Sequence, residues 1–218
     1  MTSLDGPRLE PASGGKPRGL VVLLHGYGSD GNDLIQLGAE WQSLLPDVAF
    51  VSPHAPERCA QSPSGYQWFD LTFRDPDEYW RGVNQAGPVL DAFLDAELAR
   101  TGVTEDRMML VGFSQGTMMA LHVGLRREAS CAGILGYSGA LAGGEHLKDQ
   151  IRSKPPILLS HGDQDDVIPF QMMFLAAQAI AAADHAVCWH IAHRIQHGID
   201  SSSLMIGSLF LRDCLTTF

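Results

Sequence analysis

Five short runs rich in Val, Ile and Leu recur along the chain, at 19-GLVVLLHG-26, 48-VAFVSP-53, 107-RMMLVGFS-114, 132-AGILGYSG-139 and 156-PILLSHG-162. Each has the length of a strand and is apolar without alternation, the pattern of a strand buried on both faces. Helix-like segments lie between them at 32–45, 84–100, 115–128 and 170–183. Strand and helix in alternation predict a mostly parallel central sheet with helices on both faces. A further strand is expected over 186-AVCWHIAH-193, where Val187, Trp189 and Ile191 alternate, and 200–215 reads as a closing helix with Asp200 or a following serine as N-cap. No internal repeat and no linker divides the 218 residues, so one domain over 1–218 is expected. The segment 56–82 fits neither element; it mixes Pro and Gly with aromatics and reads either as a surface loop pinned by aromatic anchors or as a functional excursion.

Charge narrows the function. The formal net charge is -10 and the longest basic run is Arg126-Arg127, which argues against a nucleic-acid partner, since phosphate binding needs clustered Lys and Arg. The first residues lack the apolar core of a secretory signal and no apolar run approaches the roughly 20 residues of a membrane span, so a cytoplasmic protein without stable membrane insertion is expected. Cys59, Cys131, Cys188 and Cys214 are scattered, with no C-x-x-C pair; Cys131 and Cys188 fall in apolar runs and are expected to be buried thiols.

Chemistry enters at 110-LVGFSQGTMMA-120. Gly112-Phe113-Ser114-Gln115-Gly116 fits G-x-S-x-G, a short pattern that chance alone supplies easily in a chain with 23 glycines. Its context is more specific, because the pentapeptide follows a strand and opens a helix, as a nucleophile elbow must. Such a turn forces a strained serine, leaves no room for side chains on its flanks, and sets the hydroxyl beside the unpaired N–H groups of a helix start. A serine hydroxyl is a weak nucleophile and needs a histidine base oriented by a carboxylate. Strand ends supply both in the order Ser, acid, His: Asp163, Asp165 and Asp166 follow 156–162, and His197 follows 186–193.

The set LLHGYGSD (23–30), PHAP (53–56), WFD (68–70), GFSQG (112–116), HGDQDDVIP (161–169) and HGI (197–199) resembles the phospholipase/carboxylesterase family of α/β-hydrolases, which includes acyl-protein thioesterases. The resemblance spans nearly the whole chain in the family's order. It implies an α/β-hydrolase fold without a large cap domain and a serine hydrolase of carboxylic esters or thioesters. By the family's H-G-x-x-D-x-x-(V/I)-P pattern it assigns Asp165 as the acid, with Ser114 as nucleophile and His197 as base. Asp163 is then a turn residue bonding nearby backbone N–H groups. The backbone amides of Tyr27 and Gln115 are the implied oxyanion donors. Trp68 and Phe69 match a family segment near the active-site entrance, and Leu71, Phe73, Tyr79 and Trp80, with Met172 and Met173, are candidates for an acyl groove; the two methionines read equally as helix core. No metal or organic cofactor is implied. The expected partner is a small or lipid-like ester, or an acylated protein, and family members often dimerise. One departure stands out: the family usually has glycine three residues before the catalytic histidine, and this chain has Arg194.

Other readings are weaker. Gly26-Tyr27-Gly28-Ser29-Asp30-Gly31 fits the dinucleotide pattern G-x-G-x-x-G, but the second strand ends Val51-Ser52-Pro53-His54 without the carboxylate that a ribose requires. His190, His193 and His197 are close enough to raise the question of metal, yet no H-E-x-x-H occurs and the strand period sends His190 and His193 to opposite faces. His25 and His161, each before glycine at a strand end, are expected to be structural. A catalytically silent hydrolase-fold binding module is the alternative to an enzyme.

Overall fold

The computed structural model describes residues 4–72, 75 and 77–216. Seven strands form the central sheet: β1 (Arg8–Leu9), β2 (Gly19–Leu24), β3 (Val48–Val51), β6 (Met108–Phe113), β7 (Gly133–Tyr137), β8 (Ile157–Gly162) and β9 (Cys188–Ala192), in the spatial order β1-β3-β2-β6-β7-β8-β9. Every pairing is parallel except β1 with β3. The order turns around at β2, so helices cover both faces. Strand β2 shows how: Leu20, Val22 and Leu24 enter one hydrophobic cluster and Val21 and Leu23 the other, as a period of two requires. All five are fully buried.

The helices are α1 (Gly31–Trp41), α2 (Glu78–Thr101), α3 (Gln115–Gly124), α4 (Gly144–Gln150), α5 (Gln171–Ala182) and α6 (Ser201–Thr216). Asp30 caps α1 by accepting from the Asn32 N–H at 2.7 Å. Asp200 accepts from the Ser203 N–H at 2.9 Å and from the Ser202 hydroxyl at 2.7 Å, which makes it the start signal of α6. No helix of the described residues is long and apolar enough to cross a membrane.

Three features differ from the sequence reading. The segment 56–82 holds a small hairpin, β4 (Glu57–Arg58) with β5 (Tyr66–Gln67), and its last residues are the first turn of α2. That turn is fixed by tertiary contacts: buried Glu78 accepts from the Thr72 N–H at 2.9 Å and its hydroxyl at 2.7 Å. Helix α4 escaped notice because GEHLKDQ buries only Leu147 and has no apolar repeat. Cys188 is exposed, whereas Cys131 is buried as expected. The reason is position, since β9 is the edge strand of the sheet and its first two residues, one on each face, are both exposed.

Candidate active site

Strand β6 ends at Phe113 and α3 begins at Gln115, leaving one residue for the reversal. Ser114 makes it with φ 55 and ψ -116, a conformation that costs energy for any L-residue and persists only where its surroundings enforce it. The Ser114 N–H donates to the Tyr137 carbonyl at 2.9 Å, and the Thr117 hydroxyl lies 2.8 Å from both the Gly112 and Tyr137 carbonyl oxygens. The flanking glycines are required by contact. A Cβ on Gly112 would strike the Gly116 backbone, and one on Gly116 would strike the Leu24 carbonyl oxygen. The same close approach brings the end of β2 onto the elbow, with Gly26 packed against Phe113 and the Ser114 Cβ.

Strands β8 and β9 deliver the other two residues. Asp165 has no exposed side-chain surface: Oδ1 accepts from the Val167 and Ile168 N–H groups at 2.9 and 2.8 Å and Oδ2 lies 2.8 Å from His197 Nδ1, while His161 Nε2, 3.1 Å from Oδ2, is bonded to the Ile168 carbonyl at 2.8 Å. With Nδ1 turned to the carboxylate, His197 presents Nε2 on its other side. The ring packs on Phe113, the neighbour of Ser114, with centroids 5.0 Å apart. The Ser138 hydroxyl donates to the Gly198 carbonyl at 3.3 Å, tying the histidine loop to the end of β7. The fold thus brings Asp165 and His197 together at the carboxyl edge of the sheet where Ser114 also sits.

Asp163 stands apart from this pair. It accepts from the Arg194 N–H at 2.6 Å and contacts His193 Nδ1 at 2.7 Å, the latter bond holding its carboxyl below the ordinary range. Arg194 has φ 62, the left-handed region that favours glycine. The residue that departs from the family pattern therefore keeps the backbone conformation glycine would supply, with Asp163 anchoring it.

Among the described residues, neither the Tyr27 nor the Gln115 N–H has an acceptor, which leaves both amides available to a ligand oxygen. Hydrogen bonds hold the loop that carries Tyr27. His25 Nδ1–H donates to the Gly26 carbonyl at 2.8 Å and Nε2 accepts from the Ala55 N–H at 3.0 Å; burial keeps this imidazole neutral by lowering its pKa. Gly28 and Ser29 pair with Tyr66 through N–H···O bonds of 2.9 and 2.7 Å.

Trp68, Phe69 and Leu71 are buried, 1%, 2% and 5% exposed, with the Phe69 ring packed against Gly82 of α2. Trp68 Nε1 donates to the His25 carbonyl at 3.0 Å. Phe73 lies outside the described residues. Of the two methionines, Met173 is core and Met172 lines a cleft of about 310 Å³ with Tyr79, Trp80, Leu141 and Leu175. Sequence reasoning missed one feature entirely, the side chain of Gln115. Its Oε1 accepts from the Trp68 N–H at 2.9 Å and its Nε2 donates to the Phe69 carbonyl at 2.8 Å, a clamp formed by residues 46 and 47 positions apart. No local pattern could have signalled it. Among the described residues no group of three or more His, Cys, Asp or Glu side chains is placed to hold a metal ion.

A mostly parallel sheet with a strained serine after β6, a carboxylate after β8 and an imidazole after β9 defines an α/β-hydrolase. The family model described as Phospholipase/Carboxylesterase matches residues 11–215, and the chain belongs to that family. Its relatives agree. The crystal structure of esterase PE8 superposes with a TM-score of 0.95 at 43% identity, covering 98% of this chain and 100% of that one. Acyl-protein thioesterase 1 of Schizosaccharomyces pombe is 31% identical over 157 residues, 68% of this chain and 69% of the relative. Esterase YpfH of Escherichia coli K12 is 26% identical over 193 residues, 88% and 82% of the two chains. The protein is a carboxylic ester hydrolase of the esterase and thioesterase kind.

Proposed function

We propose that this protein hydrolyses carboxylic esters or thioesters through an acyl-enzyme on Ser114, as a single domain over 1–218. The Ser114 oxygen attacks the acyl carbon while His197 Nε2 takes its proton. Asp165 holds the Nδ1–H tautomer and stabilises the imidazolium, and the Tyr27 and Gln115 amides receive the oxyanion. Collapse of the intermediate breaks the bond to the alcohol or thiol, which leaves with the proton from His197. Water then attacks the acyl-serine, giving its proton to His197, and the acid departs as Ser114 is restored. The observation that carries this reading is the 2.8 Å contact of His197 Nδ1 with a fully buried Asp165 whose other oxygen accepts from two backbone N–H groups.

The cleft whose apolar side is formed by Tyr79, Trp80, Leu141, Met172 and Leu175, with Asp77 and Glu145 also on its wall, is the groove for an acyl chain, because it lies between segments that follow the carboxyl ends of β7 and β8. Trp68, Phe69 and Leu71, all in the core, serve substrate binding by fixing the segment that bonds the His25 carbonyl and the Gln115 side chain. Lipid-like esters or acylated proteins suit such a groove, and the Schizosaccharomyces pombe relative is an acyl-protein thioesterase. The test is hydrolysis of p-nitrophenyl esters of increasing acyl length by wild type and Ser114→Ala. Loss of the nucleophile should lower kcat by about a thousandfold or more with the fold intact, and kcat/KM in the wild type should rise with chain length. A loss below about tenfold would remove Ser114 from the mechanism.

A further inference from the structure

On the side of α3 away from the elbow, α2 and the C-terminal end of α3 border an open surface pocket of about 270 Å³ lined by Asn84, Asp91, His122, Arg126 and Arg127 among others. Two buried polar atoms there lack a hydrogen-bond partner among the described residues: Nδ1 of His122 and Nη2 of Arg126. His122 is only 6% exposed. Buried polar groups are almost always paired, so two unpartnered ones on the wall of one pocket are free to bond a ligand there.

The rest of the Arg126 side chain is tied down. Nε donates to Gln150 Oε1 at 2.9 Å, Nη1 donates to the His122 carbonyl at 3.1 Å, and the guanidinium lies 5.4 Å from the Trp80 ring centroid. These contacts fix the fork and leave Nη2 over. Carboxylates are drawn elsewhere: Asp91, Asp95 and Glu105 all pair with Arg127. Among the described residues Arg126 has no carboxylate within ion-pair distance, and burial alone lowers its pKa from the ordinary arginine value. Burial, and then the charge of Arg126, push the His122 imidazole down to about 3, so it is neutral and can offer Nδ1–H. Asn84 is already engaged, donating from Nδ2 to the Trp80 carbonyl at 2.6 Å.

We propose that this pocket binds a small oxyanion, a carboxylate or phosphate group, through Nη2 of Arg126 and Nδ1 of His122. A fixed guanidinium without a counter-ion is the donor that planar and tetrahedral oxyanions match best. Asp91 is the carboxylate on the wall, and Arg127 neutralises it. The C-terminal carbonyls of α3 oppose an anion, but Arg126 already covers one of them through Nη1. The site is separate from the chemistry of Ser114: His122 is seven residues beyond Gln115 on α3, roughly 10 Å along the helix axis.

The test is thermal melting of the full chain in rising sodium phosphate and, separately, sodium acetate, against sodium chloride at matched ionic strength. The wild-type Tm should rise saturably with phosphate, with acetate or with both, and the pattern tells a phosphate ligand from a carboxylate one. Arg126→Gln should abolish that rise. If Arg126→Gln does not fold, Arg126→Lys decides, since it keeps the charge without the fork and should weaken the apparent Kd by about tenfold or more. A wild-type response no larger than that to chloride would overturn the site and leave the two orphan atoms to water. So would an equal response in the variants.

Discussion

Gln115 performs two separable tasks, and its side chain can be removed without touching its backbone amide. The side chain is 1% exposed and bonds the Trp68 N–H and the Phe69 carbonyl at 2.9 and 2.8 Å. Gln115→Ala strands both groups in the interior, at about 1–3 kcal/mol each, so the variant should be less stable by about 2–6 kcal/mol. For a chain of this size each kcal/mol is worth roughly 2–4 °C in Tm. The damage should also reach the site, because Trp68 holds the His25 carbonyl and Tyr66 pairs with Gly28 and Ser29, the loop that carries the Tyr27 amide. Urea unfolding followed by circular dichroism measures the first effect, and kcat for a short p-nitrophenyl ester at a temperature where the variant is folded measures the second. Gln115→Glu is the sharper probe. It can still accept from Trp68, but it sets a buried carboxylate oxygen against the Phe69 carbonyl, so it should be at least as destabilising as alanine. A loss below about 0.5 kcal/mol in both variants, far under the cost of two stranded groups, would refute the clamp.

The remaining expectations concern the loops after β8 and β9 and the start of α6. Asp165→Asn should lower kcat by roughly 10³–10⁴-fold, because the amide cannot hold the His197 tautomer, while Asp163→Asn, which retains an acceptor for the Arg194 N–H, should stay within about tenfold of wild type; the reverse ranking in the ester assay would move the acid to Asp163. Arg194 occupies a left-handed position, so Arg194→Gly should be neutral or stabilising by up to about 1 kcal/mol and Arg194→Val destabilising by about 1–2 kcal/mol in thermal melts. Equal melts for the two would show that the backbone at 194 is not held there. The Asp200 carboxyl is lowered to about 2, burial opposing and the Ser203 and Ser202 hydrogen bonds outweighing it. A carboxylate depressed on folding contributes stability above its unfolded value of 3.8 and loses it as pH falls toward about 2. Between those values wild type should therefore lose stability more steeply than Asp200→Asn, and parallel acid limbs in the two unfolding curves would contradict it.

Much of this molecule is readable from local pattern, because its chemistry sits where strands end. Apolar runs such as 19–24 and 108–113 could only be two-faced strands, and they position the turns that follow. Ser114 stands out for that reason, and the ends of two other runs offer His197 and three aspartates, among which only the resemblance to the family's pattern picks Asp165. What stayed hidden depends on pairings distant in sequence. The β4–β5 hairpin has two residues per strand, too few to show alternation. The first turn of α2 is held by Glu78 reaching back to Thr72 across a stretch rich in proline and aromatics. Helix α4 offers one buried leucine and the Gln115 clamp none of the spacing that betrays a contact. Cys188 was misjudged for the complementary reason, since an apolar run states that a strand exists and not whether it lies at the sheet's edge.

The most direct test of the central claim is intact-protein mass spectrometry after reaction with a fluorophosphonate, followed by peptide mapping, in wild type and Ser114→Ala. An acyl-enzyme mechanism on Ser114 predicts one adduct per chain, located on the peptide holding 112–116 and absent from the variant. Wild-type protein that turns over an ester yet takes up no adduct after fluorophosphonate treatment, or an adduct that persists in Ser114→Ala, would contradict it.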